Sequence, residues 1–356
     1  MKTFVLKHLA GAALLAALAP AAFALPSQMT DVNPLVSAGA PPDSPAARVD
    51  PNLPSSPYSG VVSINIRYDG QSYICSGTLV SSRHIVTAAH CVDTDGNGSL
   101  IDLNKVGSDV RVVFNADVAG AGAAVITASK VSMHQDYQGF GNCPPGVNSF
   151  CVNDDVAVVT LPVDAPAAAK IYSVWGAGLD AGQQITMVGY GTSGDGINGY
   201  TVGPAFRTKR SGQNIVDLFD GDDEQGWGGN AEVWYADFDG NGRDIFCEWD
   251  LACSEILAND KESNIGGGDS GGASFIEAYG GLMLAANNTF GGSPAGVIDG
   301  AFGSYFGGMV LASYLDYLVG ATDGRINVVP EPASAAMVLL ALGLAGGASR
   351  RRQPQA

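Results

Sequence analysis

Val61-Val62-Ser63-Ile64-Asn65-Ile66-Arg67-Tyr68 is followed by Asp69-Gly70 and then by a second run of strand-forming residues, Ser72–Val80. Two such runs joined by Asp-Gly predict a β-hairpin, because this dipeptide accepts the positive φ angles of a tight turn. The same signature continues outward. Strands are expected over Asp109–Asn115, Ala124–Met133, Val156–Leu161, Gln184–Tyr190, Gly272–Ala278, Leu282–Asn287 and Ser304–Leu311, and a short closing helix over Leu311–Val319. With 48 glycines and few segments of helical period, the body of the 356-residue chain reads as all-β with many turns.

The two ends read differently. Residues 1–24 have the form of a secretory signal: Lys2 and Lys7, the apolar stretch Leu9–Ala19, and the small-x-small site Ala22-Phe23-Ala24. Residues 25–58 are rich in Pro, Ala and Ser and read as a propeptide or linker. The six cysteines fit an oxidising compartment and fall into three local couples, Cys75 with Cys91, Cys143 with Cys151, and Cys247 with Cys253. Fifteen connectivities are open to six cysteines; a zinc site finds no support in CxxC spacing or a histidine pair.

The net charge of −17 excludes phosphate-backbone recognition, which needs clustered Lys and Arg. The acidity is concentrated between Asp217 and Asp250, where Arg243 is the sole basic residue. At the C-terminal end, a linker over 321–332 contains Pro330-Glu331-Pro332; an apolar run (333–349) and an Arg-rich tail (350–356) follow. This ordered set resembles the PEP-CTERM sorting signal of Gram-negative bacteria. The resemblance implies transient residence in the inner membrane and recognition by an exosortase-type sorting enzyme. Export would then run through the periplasm to the cell surface or the exterior.

Three segments carry chemistry. Gly268-Asp269-Ser270-Gly271-Gly272 offers a hydroxyl flanked by glycines that let a substrate approach backbone N–H donors. Ile85-Val86-Thr87-Ala88-Ala89-His90-Cys91 sets a histidine at the end of an apolar strand, and Asp154-Asp155-Val156-Ala157 sets a carboxylate at the head of another. Their order, His–Asp–Ser, and their spacing resemble the chymotrypsin/trypsin family over about Gly60–Val319, within a domain spanning 59–320. The resemblance implies two packed antiparallel β-barrels with a short C-terminal helix. It also implies peptide-bond hydrolysis through an acyl-enzyme without a catalytic cofactor, with a protein or peptide as substrate.

Carried over by motif, His90 is the general base, Ser270 the nucleophile, and Asp155 (or its neighbour Asp154) the group that orients the imidazole. The N–H groups of Gly268 and Ser270 form the oxyanion hole, and the Cys75–Cys91 couple matches the disulfide bracketing the histidine. His134 matches a structural segment. Gly266 replaces the cysteine of the pocket disulfide. Asn264 falls at the pocket floor, Thr289-Phe290-Gly291 at one wall and Gly303 at the other, giving a neutral, polar-floored pocket. Arg48-Val49 stands at about the distance of an activation site but lacks the glycines that should follow.

Two acidic loops resemble calcium-binding loops. Asp237, Asp239, Asn241, Arg243 (through its carbonyl) and Glu248 have the required spacing, with Gly242 at the sharp turn; Asp93, Asp95, Asn97 and Ser99 form a similar set. Both predict a structural calcium. The competing functional classes are a cell-surface binding module and a calcium-loaded structural module on the same scaffold.

Overall fold

The computed structural model describes residues 36–115, 123–147 and 149–330. The expected signal segment 1–24, the apolar run 333–349 and the Arg-rich tail lie outside them.

Seven strands make the first sheet: β1 (Val61–Tyr68), β2 (Gln71–Leu79), β3 (His84–Thr87), β4 (Asp109–Phe114), β5 (Ala124–Thr127), β6 (Lys130–Met133) and β7 (Ala157–Thr160). Their spatial order is β5-β4-β1-β2-β3-β7-β6. The hairpin turns where expected, with Tyr68 opposite Gln71 and positive φ at Asp69 and Gly70. The single strand expected over Ala124–Met133 is two strands. Ala128 donates to Val110 O on one edge and Ser129 to Thr160 O on the other, so this corner carries the chain from one edge strand to the other. Joining the two edge strands through two residues curls the sheet towards a barrel.

The second half contains β8 (Val174–Trp175), β9 (Gln184–Gly189), β10 (Ser193–Asp195), β11 (Gly199–Val202), β12 (Arg210–Ile215), β13 (Leu218–Asp222), β14 (Gly228–Asp237), β15 (Ala273–Ala278), β16 (Gly281–Asn287), β17 (Phe290–Gly292), β18 (Tyr305–Met309) and β19 (Val328–Val329). They form a six-stranded sheet ordered β12-β9-β15-β16-β8-β19, a four-stranded sheet ordered β13-β14-β18-β17, and the β10-β11 ribbon. β12 runs into β13 after two residues and Ala286 bridges Val310, so the two larger sheets form one curled unit. This is the expected two-barrel architecture. A 3-10 turn (Leu311–Tyr314) leads into the closing helix Leu315–Ala321.

Alternation sorts the core. Val62, Ile64 and Ile66 of β1 fill the first barrel with Leu79, Val112 and Phe114, whereas Val61 faces the seam, where it meets Tyr172, Tyr190 and Phe275. Ile185, Met187, Trp234, Ala236 and Phe306 fill the second barrel.

Three organisational expectations change. The acidic stretch is not a surface loop alone: β14 pairs internally with β18, because Val233–Ala236 are all buried. Within the expected linker 321–332, Val328–Val329 adds a strand to β8. The segment read as propeptide or linker is docked from Val36 onward. Arg48 is buried, pairs with Asp43, and donates to Asn259 O, Lys261 O, Glu262 O and Ser263 Oγ. Its Pro/Ala/Ser composition resembles a linker's, but Arg48 and Asn52 donate to carbonyls of the barrel.

Lys209 anchors the same segment from within. Fully buried, it donates to Tyr58 O at 2.7 Å and lies 3.3 Å from Asp50 Oδ1. Removing one partner of a buried pair strands the other charge. Asp50→Ala should therefore cost about 3–5 kcal/mol, and adding Lys209→Met should recover most of it, as read by urea unfolding. A single-mutant loss within error of zero would show the pair holds nothing.

Candidate active site

His90 lies in the 3-10 turn Ala89–Cys91 that follows β3, and Asp155 stands two residues ahead of β7, the strand paired with β3. This pairing brings the two side chains together. Asp155 is completely buried; its Oδ1 accepts from His90 N at 2.8 Å and its Oδ2 meets His90 Nδ1 at 2.6 Å. Both carboxylate oxygens therefore hold one residue, fixing the ring and leaving Nε2 free. Asp154 turns the other way: with φ of 62°, its Oδ1 lies 2.9 Å from His134 Nδ1, in contact but not aligned as a hydrogen bond. His134 packs edge-on against Tyr314 and Tyr317, a structural setting.

Ser270 arrives from the other barrel on the loop before β15. Gly271 has φ of 78°, and a Cβ there would stand 2.1 Å from Thr87 Oγ1, so only glycine lets this loop press against the histidine turn. Ser76 N donates to Ser270 O at 2.8 Å, and Ser76 Oγ to Gly268 O at 2.7 Å. The amides of Gly268 and Ser270, by contrast, have no protein acceptor among the described residues. The three expected disulfides are present, Cys75–Cys91, Cys143–Cys151 and Cys247–Cys253. The first ties β2 to the histidine turn.

Two residues not picked out by sequence reasoning support this arrangement. Asn287, buried at the end of β16, donates through Nδ2 to Asp155 O at 3.1 Å and accepts from Met309 N at 3.0 Å. Val36 N donates to Asp269 Oδ2, while Gly266 N (2.8 Å) and Gly191 N (2.7 Å) complete the shell around this fully buried carboxylate. Burial pushes Asp269 up to about 7. Neither contact has a local signature, since both partners come from distant parts of the chain.

The expected pocket residues are buried in the second barrel. Asn264 is 1% exposed, its Oδ1 accepts from Ile265 N, and its Nδ2 has no partner. Thr289 is buried with an unpartnered Oγ1; Phe290 and Gly291 lie on β17, and Gly303 donates to Phe238 O at 2.8 Å. The Arg243 guanidinium lies over Gly303.

Neither acidic loop folds as expected. Arg243 pairs with Glu248 at 2.7 Å on the surface, the Arg243 carbonyl accepts from Gly240 N, and Asn241 is exposed, so these residues do not converge with Asp237 and Asp239. Asp244, which the spacing did not single out, does. In the second loop the Asp93 carboxylate accepts from the amides of Asp95, Gly96, Gly98 and Ser99. That loop closes on itself; Asp95 and Asn97 remain outside.

The Trypsin family model matches residues 49–208, and the PEP-CTERM protein-sorting motif matches residues 328–353. Over residues 49–208 the chain is similar to trypsin. The family match includes His90 and Asp155 and ends before Ser270, the expected nucleophile. Brachyurin of Leptuca pugilator is 30% identical over 129 residues, which is 36% of this chain and 49% of that protein. Serine protease SP24D of Anopheles gambiae is 28% identical over 124 residues, 34% and 39% respectively. The chain thus spans about half or less of the length of these curated relatives. Among the described residues, no helix is long and apolar enough to cross a membrane.

The surroundings of His90 set its titration. Burial alone lowers its pKa, but the charge and hydrogen bond of Asp155 outweigh burial and raise it above the ordinary 6.5. The ring should therefore stay protonated to a higher pH than a free histidine. An NMR titration should place its midpoint above 6.5, and Asp155→Asn should move it down. A midpoint below the free value in the wild type would contradict this balance.

Proposed function

We propose that this protein is an exported serine endopeptidase. The observation that carries the reading is the His90–Asp155 pair facing the Ser270 loop beside two unpaired amides. His90 Nε2 takes the proton of Ser270 Oγ as it attacks the substrate carbonyl; Asp155 holds the imidazole and offsets its charge. The amides of Gly268 and Ser270 receive the developing oxyanion. The imidazolium then gives its proton to the leaving amine, and water deacylates Ser270 by the reverse path. Asn287 acts on this chemistry only through the position of Asp155. Asn264 and Thr289 offer neutral polar groups to the substrate side chain, which favours uncharged residues over Lys or Arg.

Maturation follows from Asp269. An amide at Val36 leaves this carboxylate buried without a charged partner, at a high desolvation cost. Cleavage before Val36 would turn that amide into an ammonium, paired where the N–H already points. Arg48-Val49 is disfavoured as the activation site because Arg48 is buried in its own hydrogen-bond cluster. The sorting motif supports export in a Gram-negative bacterium, with an exosortase-type enzyme acting at the C-terminal end and surface or extracellular delivery as the outcome.

Ser270→Ala should abolish peptide hydrolysis and labelling by a fluorophosphonate while leaving the unfolding curve unchanged. Wild-type hydrolysis in this variant would refute the assignment. N-terminal sequencing of active protein should begin at Val36; a start at Val49 would overturn the maturation step.

A further inference from the structure

The base of the β13–β14 hairpin gathers five carboxylates. One oxygen each from Asp237, Asp239 and Asp244 lies within 4.8 Å of the others. Asp217, just before β13, accepts from Asp237 N at 3.2 Å; the charge of Glu262 acts on Asp239, and those of Asp237 and Asp217 act on Glu262. Asp217, Asp237, Asp239 and Glu262 are each at least nine-tenths buried. Among the described residues none of the five forms an ion pair with Lys, Arg or His.

Amides account for only part of their valence. Phe246 N donates to Asp237 Oδ2, Cys247 N to Asp244 Oδ1 and Leu257 N to Glu262 Oε2. Asp217 Oδ1, Asp239 Oδ1 and Glu262 Oε1 are buried with no partner at all. Shared protons would satisfy these oxygens poorly, since each added O–H needs its own aligned acceptor. One hard cation satisfies several at once, and an all-carboxylate donor set without His or Cys selects calcium over zinc.

We propose that Asp237, Asp239 and Asp244, flanked by Asp217 and Glu262, bind a calcium ion that sets the shape of the specificity pocket. The coupling runs through two short paths. Glu262 stands two residues before Asn264, and Asn214 Nδ2 fastens that segment to the cage by donating to both Ser263 O (2.9 Å) and Asp237 O (2.8 Å). Phe238, between two of the ligands, donates to Ser304 O and accepts from Gly303 N, both at 2.8 Å. Floor and wall therefore both hang from the cage. Without the ion the carboxylates repel, and these two segments move apart.

The binding stands on the carboxylates alone; the effect on the pocket rests on the peptidase reading. Calorimetry with calcium chloride on the mature Ser270→Ala protein should show one site, which tests binding independently of activity. Asp239→Asn should abolish it, whereas Asp93→Asn and Glu232→Gln should not. In chelator, Asp239→Asn should melt above the wild type, because it removes repulsion; a merely structural carboxylate would give the reverse. In active protein, chelation should raise KM about tenfold with a much smaller change in kcat, the mark of lost binding rather than lost chemistry. No heat of binding, or heat lost through Asp93→Asn or Glu232→Gln in place of Asp239→Asn, would overturn the site. Binding with unchanged KM would overturn the coupling.

Discussion

The fully buried carboxylate of Asp269 is the constraint on which the rest of the structure depends. Its oxygens accept from Val36, Gly191 and Gly266, three stretches far apart in sequence. A carboxylate taken out of water must be met by donors on every side. Meeting it draws the N-terminal segment, the strand after β9 and the serine loop to one point. Ser270 is the next residue, so the geometry of the nucleophile and its two amides follows from that shell. The shell lies in the second barrel, while the base and its aspartate belong to the first. The candidate active site is therefore a product of barrel packing, with Ser76 and Asn287 among the contacts that join the two halves.

The pocket floor lacks the covalent brace that its likeness to the chymotrypsin/trypsin family would suggest, since Gly266 occupies the cysteine position. Arg48 supplies a polar substitute. Its guanidinium gathers the carbonyls of Asn259, Lys261 and Glu262 from the outside and is itself neutralised by Asp43. A planar, always-charged fork suits this task, because it can hold several acceptors in one plane. The acidic insertion braces the same segment from within. A loop-rich protein thus fixes its binding site by electrostatic crosslinks, which respond to ions in a way that a disulfide does not.

Much of this was legible in the chain. The Asp69-Gly70 turn, the β1 and β2 strands and the closing helix follow from local rules, because turn chemistry and side-chain alternation act over a few residues. The candidate triad was legible because its members sit in short motifs whose residue types the proposed reaction demands. Strand β14 was hidden by its company: Val233–Ala236 are flanked by acidic residues, and the charge outweighed the apolar run. The segment read as a propeptide or linker over 25–58 is docked from Val36 onward, which was not legible because composition reports what a segment lacks, not what it docks against.

The amino-acid sequence by itself determined the all-β class, the local cysteine couples, the three candidate catalytic segments and the order of the sorting signal. Each is written in residues close together in the chain, where local geometry and covalent chemistry suffice. Only the tertiary structure decided between Asp154 and Asp155, replaced Glu248 by Asp244 in the acidic cluster, and joined Val36 to Asp269. Those outcomes depend on which groups are buried together, and burial is a property of the packed barrels: it makes an unpartnered charge costly, and so selects the partners.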